Sequence, residues 1–90
     1  MIAISGRIFC ANLVEAELLA SLLEEHTRLT RAEPGCLSFH MLPTSDPLIW
    51  LTDEAFADHD AYKAHISRTR QTPWHGATAH LRRDVKTTGL

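Results

Sequence analysis

Glycine-rich loops are missing from this sequence. Its four glycines stand apart, at positions 6, 35, 76 and 89, in neither the G-x-G-x-x-G nor the G-x-x-x-x-G-K-[ST] arrangement. A backbone cradle for a dinucleotide or nucleoside triphosphate is therefore absent, and no nucleotide cofactor is expected. The G-x-S-x-G elbow is absent too, and Gly35-Cys36 opens a predicted strand instead of lying beside an activating base, which argues against acyl-enzyme chemistry. The two cysteines, Cys10 and Cys36, are too few for a disulfide scaffold and form no C-x-x-C pair, so both read as reduced, buried thiols. The six histidines include no H-E-x-x-H and no i,i+4 pair, so no preformed zinc site, and no metal, is expected. Charge of one sign is not concentrated anywhere. With a net charge of −2 and 22% charged residues spread along the chain, there is no nucleic-acid or membrane surface to predict. No apolar run approaches the ~20 residues of a bilayer span. The start, Met1 to Arg7, reads as a strand and not as a secretory leader, which makes a cytoplasmic location the default expectation.

What is present describes one small α+β domain over residues 1–90, without repeats or linkers. A chain of this length buries only roughly 60–65% of the surface its unfolded form exposes, so marginal stability or a partner subunit is expected. Residues 2–10 alternate loosely and are rich in Ile and Phe, as in a strand covered on both faces or nearly so. Asn12 and Glu15 form a capping box, with Glu15 reaching back to the start of the helix. From Leu13 to Arg31 the residues Leu18, Leu19, Leu22, Leu23 and Leu29 fall in one arc at 100° per residue, and His26 falls inside it. Pro34-Gly35 closes that helix. A second strand follows, with Leu37, Phe39 and Met41 on one side and Cys36, Ser38 and His40 on the other. Pro43 to Pro47 is a turn, and residues 48–56 form a third strand with Trp50, Thr52 and Glu54 on one face. Asp58 caps a short helix carrying Tyr62, His65 and Ile66, and Thr72-Pro73 starts another carrying Trp74, Ala77 and Thr78. A last strand covers about 81–88. The order β-α-β-β-α-β is a split βαβ of ferredoxin-like type.

Several side chains are candidates for a pocket. Phe39, Trp50, Tyr62 and Trp74 can supply an aromatic lining. Glu54 can pair with an arginine or hold a histidine. His26 reads first as a satisfied core residue, His40 as facing a subunit interface or solvent, and the run Arg68-Thr69-Arg70 as a solvated loop.

The stretch Thr30-Arg31-Ala32-Glu33-Pro34-Gly35-Cys36-Leu37-Ser38-Phe39 resembles the T-R-x-E-P-G-C-x-x-[FY] signature of antibiotic biosynthesis monooxygenase domains. Glu54-Ala55-Phe56-Ala57-Asp58 and Ala61-Tyr62-Lys63-Ala64-His65 resemble that family's E-x-[FWY]-x-[DS] and A-x-x-x-H segments, in the right order along nearly the whole chain. The resemblance implies a homodimeric α+β barrel in which two sheets pack face to face. It also implies a cofactor-independent monooxygenase that oxidises a small aromatic substrate, a quinol, phenol or anthrone, with O₂. Such chemistry needs a base, a dry aromatic pocket and a donor for a developing oxyanion. His65 matches the family's histidine on the second helix and is the expected base, its ordinary pKa of ~6.5 suiting proton abstraction near neutrality. Phe39, Trp50, Glu54, Tyr62, Trp74 and His75 are the expected substrate-binding residues. The haem-degrading relatives are a poorer match, since His75 falls at their haem ligand but their pocket asparagine falls near Gly6 and their pocket tryptophan at His65. The alternatives are a non-oxidative isomerase or lyase on the same barrel, with His65 shuttling protons, and a domain that only sequesters ligand.

Overall fold

A computed structural model describes residues 1–89. Strand β1 spans Ile2–Phe9, helix α1 Leu13–Arg31, strand β2 Cys36–Pro43, strand β3 Ile49–Phe56, helix α2 His59–Thr69, helix α3 Pro73–Thr78 and strand β4 Arg82–Thr88. The strands form one antiparallel sheet in the order β2-β3-β1-β4, which is the ferredoxin-like arrangement, with α2 and α3 together filling the place of the second helix.

The ends of α1 follow from local chemistry. The Asn12 side chain accepts from the Glu15 N–H at 2.9 Å, while the Glu15 carboxylate accepts from the Ala11 N–H at 2.7 Å, one residue earlier than a standard capping box. Asp58 likewise accepts from the Ala61 N–H at 2.8 Å and fixes the start of α2. Each such cap contributes about 1 kcal/mol. The packed stripe of α1 is narrower than the leucine pattern suggests. Ala16, Leu19, His26 and Thr30 are buried, Leu22 and Leu23 partly so, whereas Leu18 points to solvent at 46% exposure.

All three helices lie on one side of the sheet. Ile2, Ile4 and Ile8 of β1 are buried there with Phe39, Met41, Thr52 and Phe56, and the opposite row, Ser5 and Arg7 included, is open. The expectation that β1 is covered on both faces is thus met on one face only, because the described residues form no second layer to cover the other. The β2 phase differs as well. A bulge between Cys36 and Ser38 adds one residue opposite β3, so Leu37 is 58% exposed and does not share a side with Phe39 and Met41. Cys36 turns inward and packs beside the core. Leu42 and Leu51, directly paired across β2 and β3, are also exposed on the open face. Among the described residues, no helix is long and apolar enough to cross a membrane.

Candidate active site

Two backbone contacts decide where the site lies. Gly35 has no side chain because a Cβ there would collide with the Ala61 Cβ, so the turn entering β2 packs directly on α2. Gly6, with φ of 153°, lies so close to β4 that a Cβ would overlap the Asp84 carbonyl, which draws the two strands together beneath the helices. Between the sheet and α2 with α3 a cavity of about 330 Å³ remains. That is at the small end of ligand-binding clefts.

Helical spacing on α2 turns Tyr62, His65, Ile66 and Thr69 toward the cavity, since residues three and four apart share a face. Trp74, His75 and Thr78 of α3 close one side. The sheet supplies an apolar floor from Ile4, Ile8 and Val85, and polar groups from Thr52, Glu54 and Arg83.

At the centre is a buried hydrogen-bonded series. His65 Nδ1 lies 2.9 Å from Glu33 Oε1, and the other Glu33 oxygen accepts from Arg68 Nε at 2.6 Å. Arg68 also donates to Thr30 Oγ1 at 3.1 Å. A carboxylate engaged by an arginine can only accept from the imidazole, so Nδ1 carries the proton and Nε2 is left with its lone pair. Nε2 faces Glu54 Oε1 at 3.9 Å, and the second Glu54 oxygen accepts from the Thr52 hydroxyl at 2.6 Å. The His65, Glu33 and Glu54 side chains are 7%, 15% and 14% exposed, so this Glu33–His65–Glu54 line is shielded from solvent. Burial pushes the Glu54 carboxyl above its ordinary value, opposed by the Thr52 hydrogen bond, by His65 when its ring is protonated, and by the Arg83 charge. Burial also pulls the Arg83 guanidinium below its ordinary value, while Glu54 opposes that shift.

His26 joins the site from α1. Its ring stacks on Trp74 at 4.3 Å between centroids with 4° between planes, meets Phe39 edge-on at 5.3 Å, and stands 5.9 Å from His65. It is 4% exposed, and its Nδ1 is enclosed without a hydrogen-bond partner among the described residues. Burial, reinforced by His65 when its ring is protonated and by the Arg68 charge, pulls its pKa from 6.5 to about 3. His26 is therefore a neutral imidazole at ordinary pH.

The cavity brings together His65, Glu54, Tyr62, Trp74 and His75 as the sequence suggested. Two expected lining residues do not reach it. Phe39 is fully buried in the layer beneath, supporting His26, and Trp50 packs at the far end of the sheet, paired with Ile8 and Pro43. Sequence reasoning passed over Glu33, although it sits in the E-P-G-C segment, because its partner lies 32 residues away. It also took Arg68 for a solvated residue, whereas Arg68 belongs to the last turn of α2 and is anchored on Glu33. The periodicity that put His26 inside the apolar arc was the available signal for its burial. His40 is exposed on the open sheet face, near Arg31.

The family model of antibiotic biosynthesis monooxygenases matches residues 1–81, and the chain belongs to that family. Among solved structures it is similar to a candidate antibiotic biosynthesis monooxygenase of Nitrosomonas europaea, at 18% identity and a TM-score of 0.77, over 100% of this chain and 98% of the other. SnoaB, a cofactor-independent oxygenase of Streptomyces nogalater, is 13% identical with a TM-score of 0.77, over 99% of this chain and 91% of its own. PA3566 of Pseudomonas aeruginosa is 25% identical with a TM-score of 0.74, over 99% and 90%. No curated protein matches the chain.

Proposed function

We propose that this protein is a cofactor-independent monooxygenase of a small aromatic substrate of the quinol, phenol or anthrone type, with His65 as the base. The observation that carries the reading is the buried Glu33–His65 pair, whose imidazole keeps a free Nε2 beside an aromatic-lined cavity. A substrate C–H or O–H in that cavity gives its proton to Nε2. Glu33 then stabilises the resulting imidazolium through Nδ1, as a buried carboxylate does for any histidine base. The electron-rich anion passes one electron to O₂, and the radical pair joins in a C–O bond. The peroxide then loses water as its O–O bond breaks, leaving a new carbonyl. For an anthrone the balance is ArCH₂ + O₂ → ArC=O + H₂O. All four electrons that reduce O₂ come from the substrate CH₂, and the proton held on His65 leaves in the water. Trp74 and Tyr62 with the apolar floor exclude bulk water and give an aromatic ring surfaces to lie against. SnoaB, of the same fold, is itself a cofactor-independent oxygenase.

The acting unit in this reading is a cytoplasmic homodimer. The open face of the sheet carries Leu42 and Leu51, which a second copy packed sheet to sheet would cover. A proton-shuttling isomerase is the second reading, favoured by Glu54, a carboxyl biased toward its neutral form 3.9 Å from His65.

Oxygen uptake measured with anthrones and quinols tests the proposal. Consumption matched to carbonyl product, and reduced by about 10²–10⁴-fold in His65→Ala, is the expected result. Turnover without oxygen consumption moves the assignment to the isomerase, and near-normal uptake in His65→Ala removes His65 as the base.

A further inference from the structure

We propose that His26 is a substrate-contacting residue, an N–H donor that holds the ionising oxygen of the aromatic substrate opposite His65. The inference rests on the monooxygenase reading for its place in the reaction, but its geometry stands separately.

The ring orientation is fixed on two sides. Trp74 stacks flat on it and the Phe39 ring meets it edge-on, so its plane has no freedom to swing. Of the two ring nitrogens, Nδ1 is the enclosed one and has no partner. A polar atom sealed there without a partner is costly in either form, but orphaned buried N–H groups are rarer than under-satisfied acceptors, which favours the tautomer with a bare Nδ1 lone pair. The proton accordingly sits on Nε2, making that atom a donor on a residue that lines the cavity. His26 and His65 ring centroids are 5.9 Å apart. Two N···O contacts of about 2.9 Å from rings at this distance can meet at a single oxygen. A phenolic oxygen placed there gives its proton to His65 Nε2 and accepts from His26 Nε2–H.

The electrostatics divides the two roles. With an imidazolium forming at His65 and Arg68 close by, a second cation at His26 is opposed, so the substrate proton has one destination. His26 instead meets the negative oxygen with a dipole that needs no protonation change. Arg70 and Arg83 also line the cavity and favour an anion there, but Arg83 is already set against Glu54.

The test uses His26→Phe, which keeps a flat ring against Trp74 but removes the donor, and His26→Gln, which restores an N–H near the Nε2 position. The probe is 4-nitrophenol, read by its phenolate absorbance. Wild type is expected to bind it and to stabilise the phenolate. His26→Phe should weaken that binding by about 10-fold or more, the loss expected for one hydrogen bond to a charged oxygen, and His26→Gln should recover most of it. On a substrate that the wild type oxidises, kcat should fall by about 10²-fold in His26→Phe with KM changed far less, as for loss of an oxyanion donor. Nitrogen-15 spectra of the wild type should show His26 as the neutral Nε2–H tautomer at neutral pH. A wild type that fails to bind 4-nitrophenol, equal binding by wild type and His26→Phe, or an Nδ1–H or protonated ring overturns the inference. Binding that depends on His26 in a protein that takes up no oxygen supports it while removing the monooxygenase reading. Oxygen uptake with a dispensable His26 does the reverse.

Discussion

Replacement of Glu33 is the most direct probe of the buried series. The carboxylate accepts from His65 at 2.9 Å and from Arg68 at 2.6 Å, and the three side chains are 15%, 7% and 28% exposed. Two hydrogen bonds involving charged groups contribute about 1.5–3 kcal/mol each. The Arg68 end reaches solvent, which screens its share, so Glu33→Ala should lose about 2–4 kcal/mol. For a domain of this size each kcal/mol shifts Tm by roughly 4–8 °C, which puts the expected drop at roughly 8–32 °C. Glu33→Gln is the sharper variant. Its amide oxygen can still accept from His65 Nδ1, but its NH₂ then faces the Arg68 N–H, donor against donor, and flipping the amide moves the same conflict to His65. Neither setting holds both the tautomer of His65 and the position of α2. Turnover should therefore fall by about 10²–10⁴-fold in kcat with KM changed much less. Urea melts and oxygen uptake on the same preparations check both quantities. A Glu33→Gln protein with wild-type kcat, or one that changes KM alone, would refute the idea that Glu33 orients the base.

Stability should respond to pH through two buried groups of opposite sign. His26 titrates at 6.5 when unfolded but at about 3 when folded, so below the upper value the unfolded chain takes up a proton that the folded chain refuses. Stability should therefore decline on acidification across that window by roughly 3–5 kcal/mol, and His26→Phe should flatten the decline in urea melts at stepped pH. Glu54, with its folded pKa raised by burial, binds its proton more tightly when folded, so its contribution is complete below the ordinary carboxylate value and is lost as pH rises through the folded one. Glu54→Gln should accordingly be more stable than wild type at neutral pH and indistinguishable from it in acid. On the open sheet face, Leu51→Lys should shift sedimentation from dimer toward monomer while far-ultraviolet circular dichroism stays unchanged, and a wild type that sediments as a monomer at micromolar concentration would refute the sheet-to-sheet assembly.

The element order could be read from the chain because each element carries a local signal of its own. Asn12 and Asp58 mark helix starts, Pro34-Gly35 marks a helix end, and Thr72-Pro73 separates α3 from α2. The pairs and phases that depend on long-range packing were not legible. The bulge at Leu37 breaks the alternation that assigned its side, and nothing near Leu37 in sequence encodes an extra residue opposite β3. Leu18 lies on the edge of its arc, where helix periodicity alone cannot say how wide the covering layer is. His65, Glu54, Tyr62, Trp74 and His75 were reachable from motif and spacing, but which aromatics line a cavity and which pack beneath it depends on depth. Phe39 and Trp50 show the difference. Glu33 stands in its motif without a legible role, because an acid gains meaning only from the base it faces.

The contact between Gly35 and Ala61 works as a ruler for the site. Glu33 lies two residues before the glycine and His65 one helical turn after the alanine, so the gap between acceptor and imidazole is set by the Gly35 main chain resting on the Ala61 methyl. The residues that shape the cavity, such as Ile4, Val85 and Tyr62, are not part of that measure. Pocket outline and proton relay are thus separable in this architecture: the walls can be exchanged to admit a different ring system while the spacing that tunes the histidine stays as it is. Enlarging either small residue should do the opposite, leaving the walls intact and putting the relay out of register.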